Sequence, residues 1–218
     1  MLVINILTLF PEFFSSPLQT SMLKIAQTQQ KIEFKLINIR DFAQDKHQIT
    51  DEPPYGGGAG MIMKIEPIAL ALQSLKLEKN QPDKLILLTS AKGQLFTQAL
   101  ATEYSQLTEL TLICGHYQDV DQRVADYLVD GEISIGNYIL TGGEPATLVI
   151  ADAVTRLIPG VLGNQASLAN ESHSQTQIKS APQYTRPENY QGWTVPSVLL
   201  SGDHQKIEQW RKKKLKLN

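Results

Sequence analysis

The chain contains a single cysteine, Cys114, among its 218 residues. One thiol excludes an internal disulfide and is typical of a reducing compartment, so a cytoplasmic location is expected. Apolar residues make up 42% of the sequence, yet no apolar run approaches the roughly 18 residues that a membrane span requires. The N-terminus, MLVINILTLF, lacks a basic leader and a small-residue cleavage site, and it predicts a first strand rather than a signal peptide.

Metal-ligand patterns are missing as well. The four histidines are not closely spaced, neither HExxH nor CxxC occurs, and no metal site is predicted. A net charge of −2 gives no general affinity for nucleic acid, but the C-terminal residues are basic. From Lys206 onward the only acid is Glu208, against Arg211, Lys212, Lys213, Lys214 and Lys216. This tail is either a solvated end or an arm that binds phosphate groups.

Alternating strands and helices dominate the first three quarters of the chain. Short apolar runs at 2–9, 84–88 and 110–114 predict buried strands, and residues 32–39 alternate as a further strand would. Helical spacing of apolar residues covers 17–29 and 66–77. The polar turn TSAKG at 89–93 is expected to lead into a further helix through Leu100, and Asp119 and Asp121 can cap a helix that starts near Val120. Nearly all-apolar strands alternating with helices predict an α/β fold whose parallel sheet is covered on both faces.

The segment ISIGNYILTGGE, residues 133–144, combines a strand, glycine turns and a helix start. Gly136, Gly142 and Gly143 allow positive φ or a close backbone approach. Glu144 and Pro145 occupy the predicted first turn of a helix, whose N–H groups would point toward a ligand. The alternative is that these glycines only terminate strands.

Three predicted strands are followed by polar or glycine-rich segments: TSAKG, CGHYQD and IGNYILTGG. Because ligands bind beyond the carboxyl ends of parallel strands, these three segments predict one pocket. Two further polar stretches stand out. Residues 40–60 predict an active-site loop, and residues 160–193 predict a linker or a lid. After them a short strand, a turn capped by Ser201 or Asp203, and a basic helix are expected.

Several strings in the sequence resemble the bacterial tRNA (guanine-N1-)-methyltransferase family, in that family's order and spacing. They are YGGGAGM at 55–61, ICGHYQDVDQRV at 113–124, SIGNYILTGGE at 134–144, RLIPGVLG at 156–163, YTRPE at 184–188 and VPSVLLSGDH at 195–204. Together they cover nearly the whole chain.

The resemblance implies a SPOUT methyltransferase fold with a deep trefoil knot and a homodimer with its active sites between subunits. It implies a knotted domain that binds S-adenosylmethionine at 1–162, a flexible linker or lid at 163–193, and at 194–218 the start of a C-terminal tRNA-binding region that is truncated relative to the family. The implied substrate is tRNA, at the guanosine immediately 3′ of the anticodon (position 37). Mg²⁺ is an implied assistant without identified ligands.

The resemblance also implies site residues. Those for the cofactor are Ser90, Gly115, Tyr117, Ser134, Ile135, Gly136, Asn137, Tyr138, Ile139, Leu140, Gly142 and Gly143. Those for the RNA substrate are His47, Asp51, Gly60, His116 and Gln118.

The implied catalytic residues are Glu171, as the base that removes the N1 proton of guanine, and Arg156, as the cation that stabilises charge on O6. The family's usual aspartate and its CGRYEG pattern appear here as Glu171 and CGHYQD. These departures leave open an alternative, a protein of the same fold that binds tRNA and cofactor but whose catalysis is weakened.

Overall fold

The computed structural model of the chain describes residues 1–162, 171–172 and 178–217. The chain divides into two compact units, Met1–Gly163 and Asn164–Asn218. Among the described residues, no helix has the length and apolar character needed to cross a membrane. The finer division of the second unit at residue 194 stays a prediction.

A five-stranded parallel sheet forms the centre of the first unit, in the order β2-β1-β6-β5-β8. The strands are β1 (Leu2–Thr8), β2 (Ile32–Asn38), β5 (Lys84–Leu95), β6 (Glu109–Cys114) and β8 (Gly131–Ser134). The α/β architecture with a mainly parallel sheet, predicted from the apolar runs, is confirmed.

Alternate residues of the strands supply two hydrophobic cores, one on each face of the sheet. Ile4 and Ile6 of β1 belong to the core that includes residues of α1 (Ser21–Thr28) and α4 (Glu144–Thr155). Leu7, the next residue of the same strand, belongs to the core that includes residues of α2 (Ile65–Ser74). Because side chains alternate across a strand, strands covered on both faces must be apolar at nearly every position. Among the described residues of this unit the remaining α-helix is α3 (Gln98–Tyr104), and short 3₁₀ helices lie at Pro11–Phe14, Pro17–Gln19 and Ile39–Phe42.

The predicted boundaries were wrong in two places next to the pocket. TSAKG was expected to be a turn that leads into a helix through Leu100, but β5 continues through it to Leu95, and the helix that follows, α3, begins only at Gln98. A helix was expected near Val120, but Asp119–Val120 forms the short strand β7, and a π-helical turn follows at Val124–Leu128. In both cases pairing with a distant strand overrides the local helix pattern, because sheet formation depends on the neighbours available.

A second, three-stranded sheet joins the long polar loop to this region. Its order is β3-β4-β7, with β3 at Asp51–Glu52 and β4 at Ile62–Met63. β4 runs antiparallel to β3 and parallel to β7. The end of the loop is therefore fastened to the strand that follows β6.

The second unit contains short elements. β10 (Asn189–Tyr190) and β11 (Trp193–Thr194) form a hairpin, and β9 (Ile178–Lys179) pairs with β12 (Lys216–Leu217). Helices α5 (Ser197–Leu200) and α6 (His204–Lys214) follow the hairpin. Of the two capping residues that were predicted, Asp203 caps α6, since its carboxylate accepts hydrogen bonds from the backbone N–H groups of Gln205 and Lys206.

Candidate active site

A pocket of about 410 Å³ lies beyond the carboxyl ends of β6 and β8 and beside the irregular middle of β5. Residues 88–92, 115–120, 133–136 and 138–143 line it, together with Ala146. These are the three segments that the sequence predicted to share one pocket. The volume lies in the range typical of small-molecule sites.

The pocket lining includes every residue predicted to bind the cofactor except Asn137. The residues brought together there are Ser90, Gly115, Tyr117, Ser134, Ile135, Gly136, Tyr138, Ile139, Leu140, Gly142 and Gly143. Their assignment to a cofactor stays a prediction, but the structure places them around one cavity.

At Gly143 two sides of the pocket approach each other closely. Its backbone N–H donates a 2.7 Å hydrogen bond to the carbonyl oxygen of Gly115. A Cβ atom at Gly143 would collide with Thr89 Oγ1 and would lie 2.8 Å from the backbone nitrogen of Gly115. Of the two roles predicted for this glycine, close approach applies, since its φ is −79°. The N–H of Gly143 is thus bonded within the protein rather than available to a ligand.

Glu144, the first residue of α4, carries a buried carboxylate that the sequence indicated only as a helix start. It is 4% exposed, and its Oε1 accepts a 2.8 Å hydrogen bond from Thr8 Oγ1. Its Oε2 lies 3.8 Å from Nδ1 of His116. The helix N-terminus also favours a negative charge at this position. Glu144 therefore ties β1 and α4 to the wall of the pocket, where His116 is one of the lining residues.

Cys114 lies directly behind this wall and is fully buried, with its sulfur 3.2 Å from Thr147 Oγ1. Burial raises the pKa of its thiol, and the nearby charge of Glu144 raises it further. Because the thiolate is the reactive form, we expect a thiol reagent to leave the native protein unmodified and to label one thiol per chain after denaturation. Mass spectrometry of the two samples checks this, and rapid labelling of the native protein would contradict the burial described.

Lys92 and Asp119 form an ion pair in the pocket lining. Lys92 Nζ lies 3.0 Å from Asp119 Oδ2 and donates a 3.3 Å hydrogen bond to Gln122 Oε1. The hydrogen bond to Asp119 raises the pKa of Lys92. Sequence reasoning missed both residues, since it assigned Lys92 to a turn and Asp119 to a helix cap. Both residues lie in the segments that follow the predicted strands at 84–88 and 110–114, and this position could have identified them as pocket residues.

Residues predicted to contact the RNA substrate are only partly brought together. His116 and Gln118 line the pocket. Gly60 packs against Gln118, because a Cβ there would lie 2.5 Å from Gln118 Oε1. Asp51 belongs to β3 of the small sheet. His47 lies in an exposed turn, where its backbone N–H donates to Asp45 Oδ1.

The two predicted catalytic residues belong to different units. Arg156 caps the C-terminus of α4 in the first unit, where the helix dipole favours a cation. Glu171 is a half-buried residue of the second unit. Each was predicted from the resemblance alone, and the roles of both stay predictions.

Comparison with known proteins decides the family. The model of the family described as tRNA (Guanine-1)-methyltransferase TrmD matches residues 2–218. A protein of Carboxydothermus hydrogenoformans named tRNA (guanine-N(1)-)-methyltransferase is 54% identical over 215 residues, which are 99% of this chain and 83% of that protein. Proteins with the same name from Geotalea uraniireducens and Dictyoglomus turgidum are 50% and 51% identical, over 96% and 98% of this chain and 83% and 84% of theirs. The chain belongs to the tRNA (guanine-1)-methyltransferase family.

Family membership confirms the resemblance that the motifs carried. The match runs through both units, from β1 to the end of α6, and so includes the pocket segments as well as the polar segment that contains Glu171. Three residues of CGHYQD depart from the CGRYEG pattern, namely His116, Gln118 and Asp119, and all three line the pocket. The ring centroid of His116 lies 4.8 Å from that of Phe10, with the two rings tilted at 55°. The substituted side chains therefore form part of the pocket lining in this member of the family.

Proposed function

We propose that this chain transfers a methyl group from S-adenosylmethionine to N1 of the guanosine immediately 3′ of the anticodon (position 37) in tRNA. The observation that carries this proposal is the pocket formed by the ends of β6 and β8 and the irregular middle of β5, in a chain whose whole length matches the methyltransferase family. Nothing in the described residues or in the comparisons favours the alternative of a protein with the same fold whose catalysis is weakened.

The pocket fits the proposed cofactor in size and in the chemistry of its lining. Apolar side chains such as Leu88, Ile133 and Leu140 suit an adenosine group. Lys92 and Asp119 offer charged groups for an amino acid end. When bound, S-adenosylmethionine supplies an electrophilic methyl group on its sulfonium sulfur.

The chemistry requires two charged side chains at the guanine. Neutral guanine holds a proton on N1, so a base must remove this proton as N1 attacks the methyl carbon. Glu171 is the proposed base. The electrons released build negative charge on O6, and Arg156 is the cation proposed to stabilise it. Because this charge develops only as the reaction proceeds, the interaction lowers the barrier rather than only strengthening binding.

The finer architecture is part of the same proposal. A trefoil knot, a homodimer whose active sites combine residues of two subunits, and action on tRNA in the cytoplasm all follow from the family's properties. Residues 163–170 and 173–177 of the predicted linker or lid lie outside the described residues. Among the described residues, no group of three or more His, Cys, Asp or Glu side chains is placed to hold a metal ion. The family resemblance implies that any Mg²⁺ that assists binds through the RNA or the cofactor carboxylate.

The test is single-turnover methylation of one leucine-type tRNA transcript that has guanosine at the last anticodon position and just 3′ of it. The control transcript has adenosine at the 3′ position. We expect N1-methylguanosine in the first transcript only. Product in neither transcript, from protein that binds S-adenosylmethionine, would contradict the proposed activity.

The basic end of α6 is proposed to contact tRNA phosphates. Its last turn carries Arg211, Lys212, Lys213 and Lys214. Each phosphate contact contributes about 0.7–0.9 to the slope of log K against log salt concentration. We expect the double substitution Lys213→Gln/Lys214→Gln to weaken tRNA binding and to reduce this slope by up to about 2.

Filter binding of labelled tRNA from low to high salt measures the slope. The double substitution Lys24→Gln/Lys31→Gln removes the same charge from exposed positions of the first unit and serves as the control. If the slope is identical in both variants and in the parent protein, the basic turn of α6 is exposed to solvent and does not contact tRNA phosphates.

A further inference from the structure

The charged groups of the pocket form a small and specific set. Leaving His116 aside, Lys92 and Asp119 are the only residues lining the pocket whose side chains are charged at neutral pH. They lie 3.0 Å apart and come from different strands, Lys92 from the irregular part of β5 and Asp119 from β7. Apart from His116, the other side chains that line the pocket are apolar or uncharged polar groups, so the pocket presents one cation beside one anion.

Both charged groups retain capacity to bind a ligand. The ammonium group of lysine has three N–H donors, and Asp119 and Gln122 account for two of those of Lys92. Asp119 Oδ2 faces Lys92, and Oδ1 accepts the backbone N–H of Val120 at 2.8 Å. A carboxylate has about four lone-pair sites, so further donors can still approach. The side chains are 51% and 42% exposed, and a ligand in the pocket can therefore reach them.

The two residues are also held in place. The backbone N–H of Lys92 donates to Ser90 Oγ at 3.3 Å, in the irregular stretch where Thr89 and Gln94 both pair with Ile133. Asp119 is fixed because β7 pairs with β4 in the small sheet. Charges that are positioned before binding lose less conformational freedom when the ligand arrives.

We propose that Lys92 and Asp119 bind the zwitterionic amino acid end of the cofactor, Lys92 facing its α-carboxylate and Asp119 its α-ammonium group. This inference rests on the proposed function, because it assigns residues to the cofactor of that reaction. An ion pair on the protein matches a ligand that itself carries one negative and one positive group side by side. The raised pKa of Lys92 keeps its ammonium group charged throughout the neutral range.

Binding measurements can separate this role from a general effect on the pocket. Methylthioadenosine keeps the adenosine and the methylated sulfur of the cofactor, the sulfur now being a neutral thioether instead of a sulfonium, but lacks the amino acid end. We expect Lys92→Gln to weaken the binding of S-adenosylmethionine about tenfold. This is the low end of the effect of losing a hydrogen bond to a charged group, because the side chain of Lys92 is half exposed. The same variant should leave the affinity for methylthioadenosine within about twofold of the parent protein. Isothermal titration calorimetry measures both.

The matched control is Lys84→Gln. Lys84 is another lysine of β5 and is paired with Glu109 at 2.8 Å, but it lies at the amino end of the strand, away from the pocket. The Lys84→Gln variant should bind both S-adenosylmethionine and methylthioadenosine with the affinity of the parent protein. Asp119→Asn should repeat the selective loss for S-adenosylmethionine.

The outcomes distinguish this inference from the proposed function. Equal losses for both ligands in Lys92→Gln, or no loss for either, would overturn the role of the ion pair while the parent protein still binds the cofactor. A parent protein that binds neither ligand would instead overturn the assignment of the pocket to S-adenosylmethionine, and the inference with it.

Discussion

Substituting glutamine for Glu171 is expected to reduce the rate of methyl transfer by about 10²–10⁴-fold, the usual contribution of a general base. The amide has the same size as the carboxylate but cannot accept the N1 proton. Because Glu171 is proposed to contact the guanine rather than the cofactor, S-adenosylmethionine should bind within about twofold of the parent affinity. Single-turnover kinetics and calorimetry measure the two quantities separately.

Glu171→Asp tests whether the charge or the length of this side chain is required. Aspartate keeps the carboxylate, and the family resemblance places aspartate at this position, so a residual rate well above that of Glu171→Gln is expected. Glu33→Gln removes an exposed carboxylate from β2 and is the control for a change of charge alone. Equal rates for Glu171→Gln and the parent protein would remove Glu171 from the mechanism.

The sheet and the location of the pocket could be predicted from the sequence because both depend on short-range patterns. Runs such as KLILL in β5 and LTLIC in β6 are apolar on both faces, as is typical of a parallel strand that is covered on both faces. The segments after them had to meet at one edge of the sheet, and the pocket lies there.

The path of the chain around the pocket could not be predicted, because it depends on pairing between distant residues. Residues 90–93 turn away from the ladder and return, so that β5 pairs with β8 on both sides of the irregularity. At Gly93 a Cβ would collide with the backbone of Glu132 and Ile133, so glycine is required by a neighbour 40 residues away in sequence. In the same way Val120 joins a strand because Met63 is available as its partner.

Charged residues of the site were missed for the same reason. Lys92 and Asp119 are separated by a helix and a strand in sequence, and only the folded chain brings them within 3.0 Å. Glu144 was recognised at the start of a helix, but its partners Thr8 and His116 come from two other parts of the chain. Long-range ion pairs and buried carboxylates carry no local signature, whereas a glycine-rich turn after an apolar strand does.

Gly143→Ala is expected to cause the largest loss among substitutions in the pocket that change no charge. The added Cβ would collide with Thr89 Oγ1, and it would lie 2.8 Å from Gly115 N and 2.9 Å from Cys114 Cα. Two of these neighbours are backbone atoms of the strand end, which cannot rotate away. Overpacking of this kind costs about 1–3 kcal/mol of unfolding free energy.

The same shift should separate the two sides of the pocket and disrupt cofactor binding. Displacement of Gly143 breaks its 2.7 Å hydrogen bond to Gly115, and both residues line the cavity. We expect S-adenosylmethionine to bind at least about tenfold more weakly, since one lost charged or buried contact already has that effect. The melting temperature should fall by roughly 2–4 °C for each kcal/mol lost.

Gly131→Ala provides the comparison that isolates crowding from the mere addition of a methyl group. A Cβ at Gly131 would meet only Leu87 Cδ2, at 3.7 Å, which is an ordinary van der Waals contact. This variant should retain the parent melting temperature and cofactor affinity. If Gly143→Ala behaved in the same way, the strand end at Gly115 would have to be movable, and the close approach of these two backbones would not be what shapes the pocket.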